Sequence, residues 1–277
     1  MTVPARSENL SRLLAGHDEK AYRLPAPILQ IRAAADRIAA LPVEPPPPTE
    51  QAVWSKITAG AVAAFLGGES ELPDPLTPIK EARDALARWE ASQKMRSEVA
   101  GELERTLATV VAHQTDVIIT GSLQPALAEV VGQVEKAVSV LPDRVNFRPP
   151  PLTAPAVQRR AWVSLEECAT RYGVIRTGWD ALGVPAGSDE TGEFRELANQ
   201  DQVSRRSEHW RVAASRRPPW PDDPPARLAW LVAHKAVLIA PTAAERQAMW
   251  KAKYGDRITQ LRRARHNVAA FGAALGA

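Results

Sequence analysis

The chain has 277 residues, 45% of them hydrophobic and 24% charged, with a formal net charge of +3. That length can bury one large core or two modest ones. A single cysteine, Cys168, excludes an internal disulfide and any cysteine-rich zinc site, so a reducing compartment is expected. The opening MTVPARSENLSRLL lacks an apolar secretory core, which predicts a cytoplasmic or virion-associated protein with no secretion signal. The charge is uneven: residues 1–154 carry 16 Lys+Arg against 19 Asp+Glu, and residues 155–277 carry 19 against 13. A basic second half fits an acidic partner, attraction between the two halves, or a solvated face.

Residues 1–24 are polar and short of periodicity, and read as an arm that becomes ordered on docking. A helix is predicted from Ala26 or Pro27 to Leu41, with Ile28, Ile31, Ala35, Ile38 and Leu41 on one face. The run Pro45 to Pro48 predicts a stiff polyproline II spacer. A second helix, from about Glu50 to Leu66, is apolar on most sides and should end at Gly67 and Gly68. It is too short to span a bilayer and contains Lys56, so a buried core helix is expected and no membrane partner.

From Thr77 the longest helical period in the chain begins. Ile79, Ala82, Leu86, Trp89, Gln93, Arg96, Ala100, Leu103, Leu107, Val110, Gln114 and Val117 follow at alternating spacings of three and four, and nine of these twelve are apolar. The three polar members have long side chains that can carry their head groups to water. Thr77 is the expected N-cap, with Pro78 at the first helical position. Gly121 is expected to close this helix and Ser122 to open a second arm, inward at Leu123, Leu127, Val130, Val134, Ala137 and Leu141. The result is a long antiparallel hairpin with unequal arms. Part of the first seam then needs another cover, either a partner or the 50–66 helix, and Leu86, Trp89, Leu103, Leu107 and Val110 are its candidate protein-interaction residues.

Prolines at 142, 149–151 and 155 mark a linker over 142–161 and the boundary of a basic C-terminal domain, 162–277, that holds six of the eight tryptophans. Within residues 164–183, Ser164 and Glu167 have capping-box spacing, Gly173 stands where a turn is expected, and Val174 can begin a second helix. This segment resembles a helix-turn-helix of small bacterial and phage DNA-binding domains. The resemblance implies that Arg176, Thr177 and Asp180 face a major groove while Trp179 and Leu182 point inward; a structural helical corner is the alternative. Further on, Arg205, Arg206, Arg211, Arg216 and Arg217 interleave with Trp210 and Trp220, a pattern suited to phosphate contact with aromatic stacking, or to core tryptophans with exposed arginine neighbours. An apolar helix over about 226–239 follows, and Thr242 with Glu245 forms a capping box opening a basic last helix.

The five histidines are scattered, and no phosphate-cradling glycine loop, dinucleotide fingerprint or serine elbow is present. No catalytic residue, metal or cofactor is therefore expected. The sequence predicts an all-α, non-enzymatic interaction or assembly protein with a protein partner or self-association, for which the particle of a phage or other mobile element is one setting. DNA binding through residues 162–217 is the alternative, and an enzyme of unrecognised type the second alternative.

Overall fold

In the computed structural model of the chain, residues 7–68, 71–141, 147–183, 221–249 and 251 are described, and all regular structure among them is helical. The chain parts into two compact units. The first holds the described residues of Ala26–Val110, and the second holds Ser7–Pro25 and the described residues from Val111 onward. The cut falls near the end of the longest helix, not in the proline-rich stretch where composition placed it.

The first unit contains α2 (Ala26–Ala40), α3 (Glu50–Leu66) and nearly all of α4 (Leu76–His113), whereas α1 (Glu8–Asp18) belongs to the second. Helix α2 buries Ile28 and Ala35 from its expected face, while Leu41 is exposed. Helix α3 has the predicted bounds because both ends are capped. Thr49 Oγ1 accepts from Ala52 N at 3.3 Å, and Gly68 takes the left-handed conformation at φ 94°. Helix α4 starts one residue before Thr77. Asp74 provides its cap, Oδ1 accepting from Leu76 N at 3.0 Å and Oδ2 from Thr77 Oγ1 at 2.9 Å. Its expected seam is the inward line up to Val110: Ala82, Ala100 and Leu107 are buried, and Ile79, Leu86, Trp89, Leu103 and Val110 are half-buried, whereas Val117, the last expected member, lies beyond the end of α4 and is exposed.

In the second unit, helical hydrogen bonding is interrupted at Gln114 and resumes in α5 (Thr115–Ile118), a π-helical turn (Ile119–Leu123) and α6 (Gln124–Val140). The corner expected at Gly121 and Ser122 is absent, and Gly121 lies within the π turn. The chain stays helical there, with Ile118, Ile119, Ser122 and Leu123 all in the buried surface. All six inward positions expected for the second arm are buried. Thr115–Val140 is long and apolar enough to cross a membrane by length and composition, but its apolar face packs on α7 (Ala156–Ala181) and α8 (Pro224–Ala233).

Helix α7 is the centre of this unit and touches α1, α6 and α8. It runs unbroken through Gly173, so the helix-turn-helix and the Ser164 capping box are not formed. Trp162, Leu165, Cys168, Ile175 and Trp179 keep a buried helical period across that glycine. Burying this face outweighs the ~1 kcal/mol that glycine costs inside a helix. The helix-ending glycine is Gly183, at φ 57°.

The N-terminal arm is partly a helix. Ser7 Oγ accepts from Leu10 N at 3.3 Å to cap α1, and Leu10, Leu13 and Leu14 are buried. After it Tyr22 is buried with its hydroxyl donating to Leu13 O at 2.8 Å, and desolvation pushes its pKa far above the ordinary phenol value. A Cβ placed on Gly16 or on Gly178 would lie 2.4 Å from the Tyr22 hydroxyl oxygen. The two glycines form a slot for the ring between α1 and α7.

Two helix ends use lysine where glycine is usual. Lys20 has φ 58° with Ala21 N donating to Gly16 O at 3.0 Å, and Lys235 has φ 56° with Ala236 N donating to Leu231 O at 2.8 Å. A left-handed conformation strains any residue with a Cβ. Lys20→Gly and Lys235→Gly should each raise the unfolding free energy by about 0.5–1 kcal/mol, read from denaturant midpoints.

Arg171 joins three parts of the second unit: Nε of this α7 residue donates to Ala21 O at 3.1 Å and Nη2 to Glu129 Oε2 on α6 at 2.7 Å. The hydrogen bond from Arg171, with its positive charge, holds Glu129 below the usual carboxylate range. A folded-state pKa below the unfolded one gives stability that is present above the ordinary carboxylate pKa and lost as pH falls through the lowered value. Glu129→Gln should therefore be less stable than the parent at neutral pH, with the difference closing in acid below the carboxylate range, as urea titrations across pH would show.

Candidate interaction surface

Between Glu50 and Leu66 only the first residue and Lys56 are charged, and the apolar residues of α3 surround the helix instead of forming one stripe. A helix of this kind is normally buried on all sides. Here none of its residues is buried: Trp54 is 48% exposed, Val62 55%, Phe65 47% and Leu66 86%. Trp54, Thr58, Val62 and Phe65 are spaced four, four and three apart, which places them on one face.

A neighbouring face of α3 meets α4 across a groove. Val53, Ile57, Ala61 and Ala64 line one side and Pro78, Ala82 and Ala85 the other, enclosing about 1020 Å³ of open space. One end is tied by a bidentate ion pair, Arg83 Nε to Glu50 Oε1 at 2.7 Å and Nη2 to Oε2 at 3.0 Å. Arg83 donates these hydrogen bonds and holds the Glu50 carboxyl below its ordinary range. Every α4 residue lining the groove precedes Leu86, so α3 does not cover the Leu86–Leu107 part of the seam.

Part of that seam is held by the chain between α2 and α3. Trp89 Nε1 donates to Glu44 O at 2.9 Å, while Arg96 donates to Ala39 O at 3.0 Å, Leu41 O at 2.6 Å and Pro42 O at 3.2 Å. Arg96 thus does not reach for water; it collects carbonyls left open at the C-terminal end of α2. From Arg96 through Trp89 to Arg83, α4 descends while its partners ascend from Ala39 through Glu44 to Glu50. The lengths are compatible: thirteen residues of helix rise about 20 Å, a distance that eight residues of extended chain, at up to about 3.3 Å each, can span. Of the five predicted interaction residues, Leu107 is buried and Leu86, Trp89, Leu103 and Val110 are half-buried. The Trp54–Phe65 face was missed because an all-round apolar helix reads as core.

The expected nucleic-acid residues fare differently. Arg205, Arg206, Trp210, Arg211, Arg216 and Arg217 lie outside the described residues. Arg176 does not face outward freely. Its Nη1 donates to Ile239 O, and its guanidinium lies 5.1 Å from the ring centre of Trp179. Trp179 Nε1 in turn donates to Pro241 O at 2.9 Å, so both side chains fasten the segment 239–241 to α7. Thr177 is exposed, with its hydroxyl donating to Gly173 O at 3.0 Å. Among known protein families, characterised proteins and solved structures, the chain matches none.

A second groove, of about 720 Å³, lies between α6 and residues 236–249 and is lined mainly by apolar side chains such as Leu127, Val131, Val237 and Leu238. Two of its polar side chains, Gln124 and Glu245, are engaged within the chain. Gln124 Nε2 donates to Ala240 O at 3.2 Å and to Glu245 Oε2 at 3.0 Å. That carboxylate also accepts from Thr242 N at 2.8 Å while Thr242 Oγ1 accepts from Glu245 N at 3.2 Å, the capping box expected from sequence. Cys168 is buried between α7 and α6 with Sγ 3.4 Å from Gln133 Oε1, and burial pushes its thiol pKa up, away from a reactive thiolate. Among the described residues no three His, Cys, Asp or Glu side chains are grouped to hold a metal ion.

Proposed function

We propose that this chain is a non-enzymatic helical interaction protein that is built into a larger assembly, such as the particle of a phage or other mobile element, through α3. The carrying observation is the exposed face of Trp54, Val62 and Phe65 on a helix with no buried residue. Water contact with such a continuous apolar surface is unfavourable by about 25 cal/mol for each Å² of apolar area, and surfaces of this kind mark contacts with other molecules. The first unit presents the helix, and the second unit has its own core around α7. DNA binding is the weaker reading, because Arg176 is engaged with Ile239 and Trp179 and the basic residues that remain to support it lie at 205–217.

The test compares the full-length protein with Val62→Asp and Phe65→Glu, isolated from the cells that make it and weighed by light scattering. Both variants should lose associated mass, whether that mass is the same chain or another component, while keeping their helical circular dichroism. Variants that match the parent in mass and in associated components contradict the proposal.

A further inference from the structure

We propose that the groove between α3 and α4 is a docking site for a partner helix that carries an apolar face and a basic flank. This surface is distinct from the Trp54–Phe65 face, since the groove-lining residues Val53, Ile57 and Ala64 lie about a third of a turn away round α3. Both sides carry small apolar side chains, Ala61 and Ala64 on α3 and Ala82 and Ala85 on α4, so an inserted side chain meets little steric resistance. Charge selects the occupant. The rim carries three carboxylates, Glu71, Asp74 and Glu81, against one cation, Lys56. Asp74 is firmly ionised, because hydrogen bonds from Leu76 N and from the Thr77 hydroxyl stabilise its charged form. An acidic helix would place like charges along this rim, whereas lysines or arginines flanking an apolar stripe would meet it favourably. The groove-lining residues of α3 run from Ala52 to Ala64, about 18 Å, room for about three turns of a bound helix.

Two fluorescent synthetic peptides of 18 residues test this with the full-length protein. They share one leucine face and differ only in carrying lysine or glutamate on the other. By anisotropy, the lysine peptide should bind at least tenfold more tightly at low salt, and the preference should fall as salt rises. Glu71→Lys and Glu81→Lys together should erase the preference, and Ala61→Trp, which fills the groove, should abolish binding. Equal affinity for both peptides, or lysine-peptide binding unchanged by these substitutions, overturns the proposal, as does a groove occupied by a second copy, seen as a doubled mass that Ala61→Trp halves. Loss of mass in Phe65→Glu without any effect of the rim substitutions would sink this inference and leave the α3 assembly reading standing.

Discussion

Tyr22→Ala should lower the unfolding free energy by about 3–5 kcal/mol, the range for emptying a large aromatic site in a packed core. The ring is 3% exposed, and its hydroxyl donates to Leu13 O. Its slot exists only because Gly16 and Gly178 lack side chains. Gly178→Ala should therefore destabilise by about 1–3 kcal/mol through overpacking, since the ring has Gly16 on its other side and cannot retreat toward α1. The sign should reverse once the ring is gone. In a Tyr22→Ala background, Gly178→Ala should stabilise by about 0.5–1 kcal/mol, the ordinary gain of alanine over glycine within a helix. A double-mutant cycle by chemical denaturation reads this coupling directly. Additive effects would mean that the slot is not what keeps residue 178 a glycine.

Trp179→Ala should cost about 3–5 kcal/mol, because it removes a buried indole from α7 together with its hydrogen bond to Pro241 O. Trp179→Phe retains most of the apolar area and should cost about 1 kcal/mol for the lost hydrogen bond. Arg176→Ala removes a charged donor from Ile239 O and the cation stacked on Trp179, an effect of about 1.5–3 kcal/mol. Hydrogen exchange should speed up at 236–249 in each of these variants while α3 is unaffected. A change confined to duplex DNA affinity, with stability intact, would restore Arg176 to the role that the helix-turn-helix resemblance gave it.

Periodicity was a good guide wherever one face of a helix is buried and the other is wet. The α6 positions Leu123, Leu127, Val130, Val134, Ala137 and Leu141 are all buried, and the seam of α4 is its inward line. Glycine was a poorer guide. Gly173 and Gly178 lie inside α7 and Gly121 inside a π turn, whereas Gly68 and Gly183 do end helices. A glycine ends a helix when the apolar period stops with it, and around Gly173 the period continues from Cys168 to Ile175 and Trp179. Gly178 answers to a residue more than 150 positions away, a packing relation with no local signal in the sequence. The arm before Leu24 read as disordered because α1 has only three turns, and its burial depends on α7, far along the chain.

The interaction surface was legible only in part. Sequence pointed to the α4 seam, but Arg96 and Trp89 bind carbonyls of the strap between α2 and α3, over distances of 55 and 45 positions for Leu41 and Glu44, and such long-range backbone partners leave no pattern in either segment. Conversely, the uniform apolarity of α3 is plain in sequence, but that uniformity gives no hint of which side lacks a cover.

Amide hydrogen exchange of α3 in the full-length protein, followed from micromolar to near-millimolar concentration and in the presence of material isolated with it, reads whether α3 is the surface that associates. Residues 50–66 should exchange quickly in the dilute free chain and become protected on association, while α6 and α7 keep the same protection throughout. Exchange of α3 that is equally slow in the dilute free chain, or equally fast under every condition, would contradict association through α3.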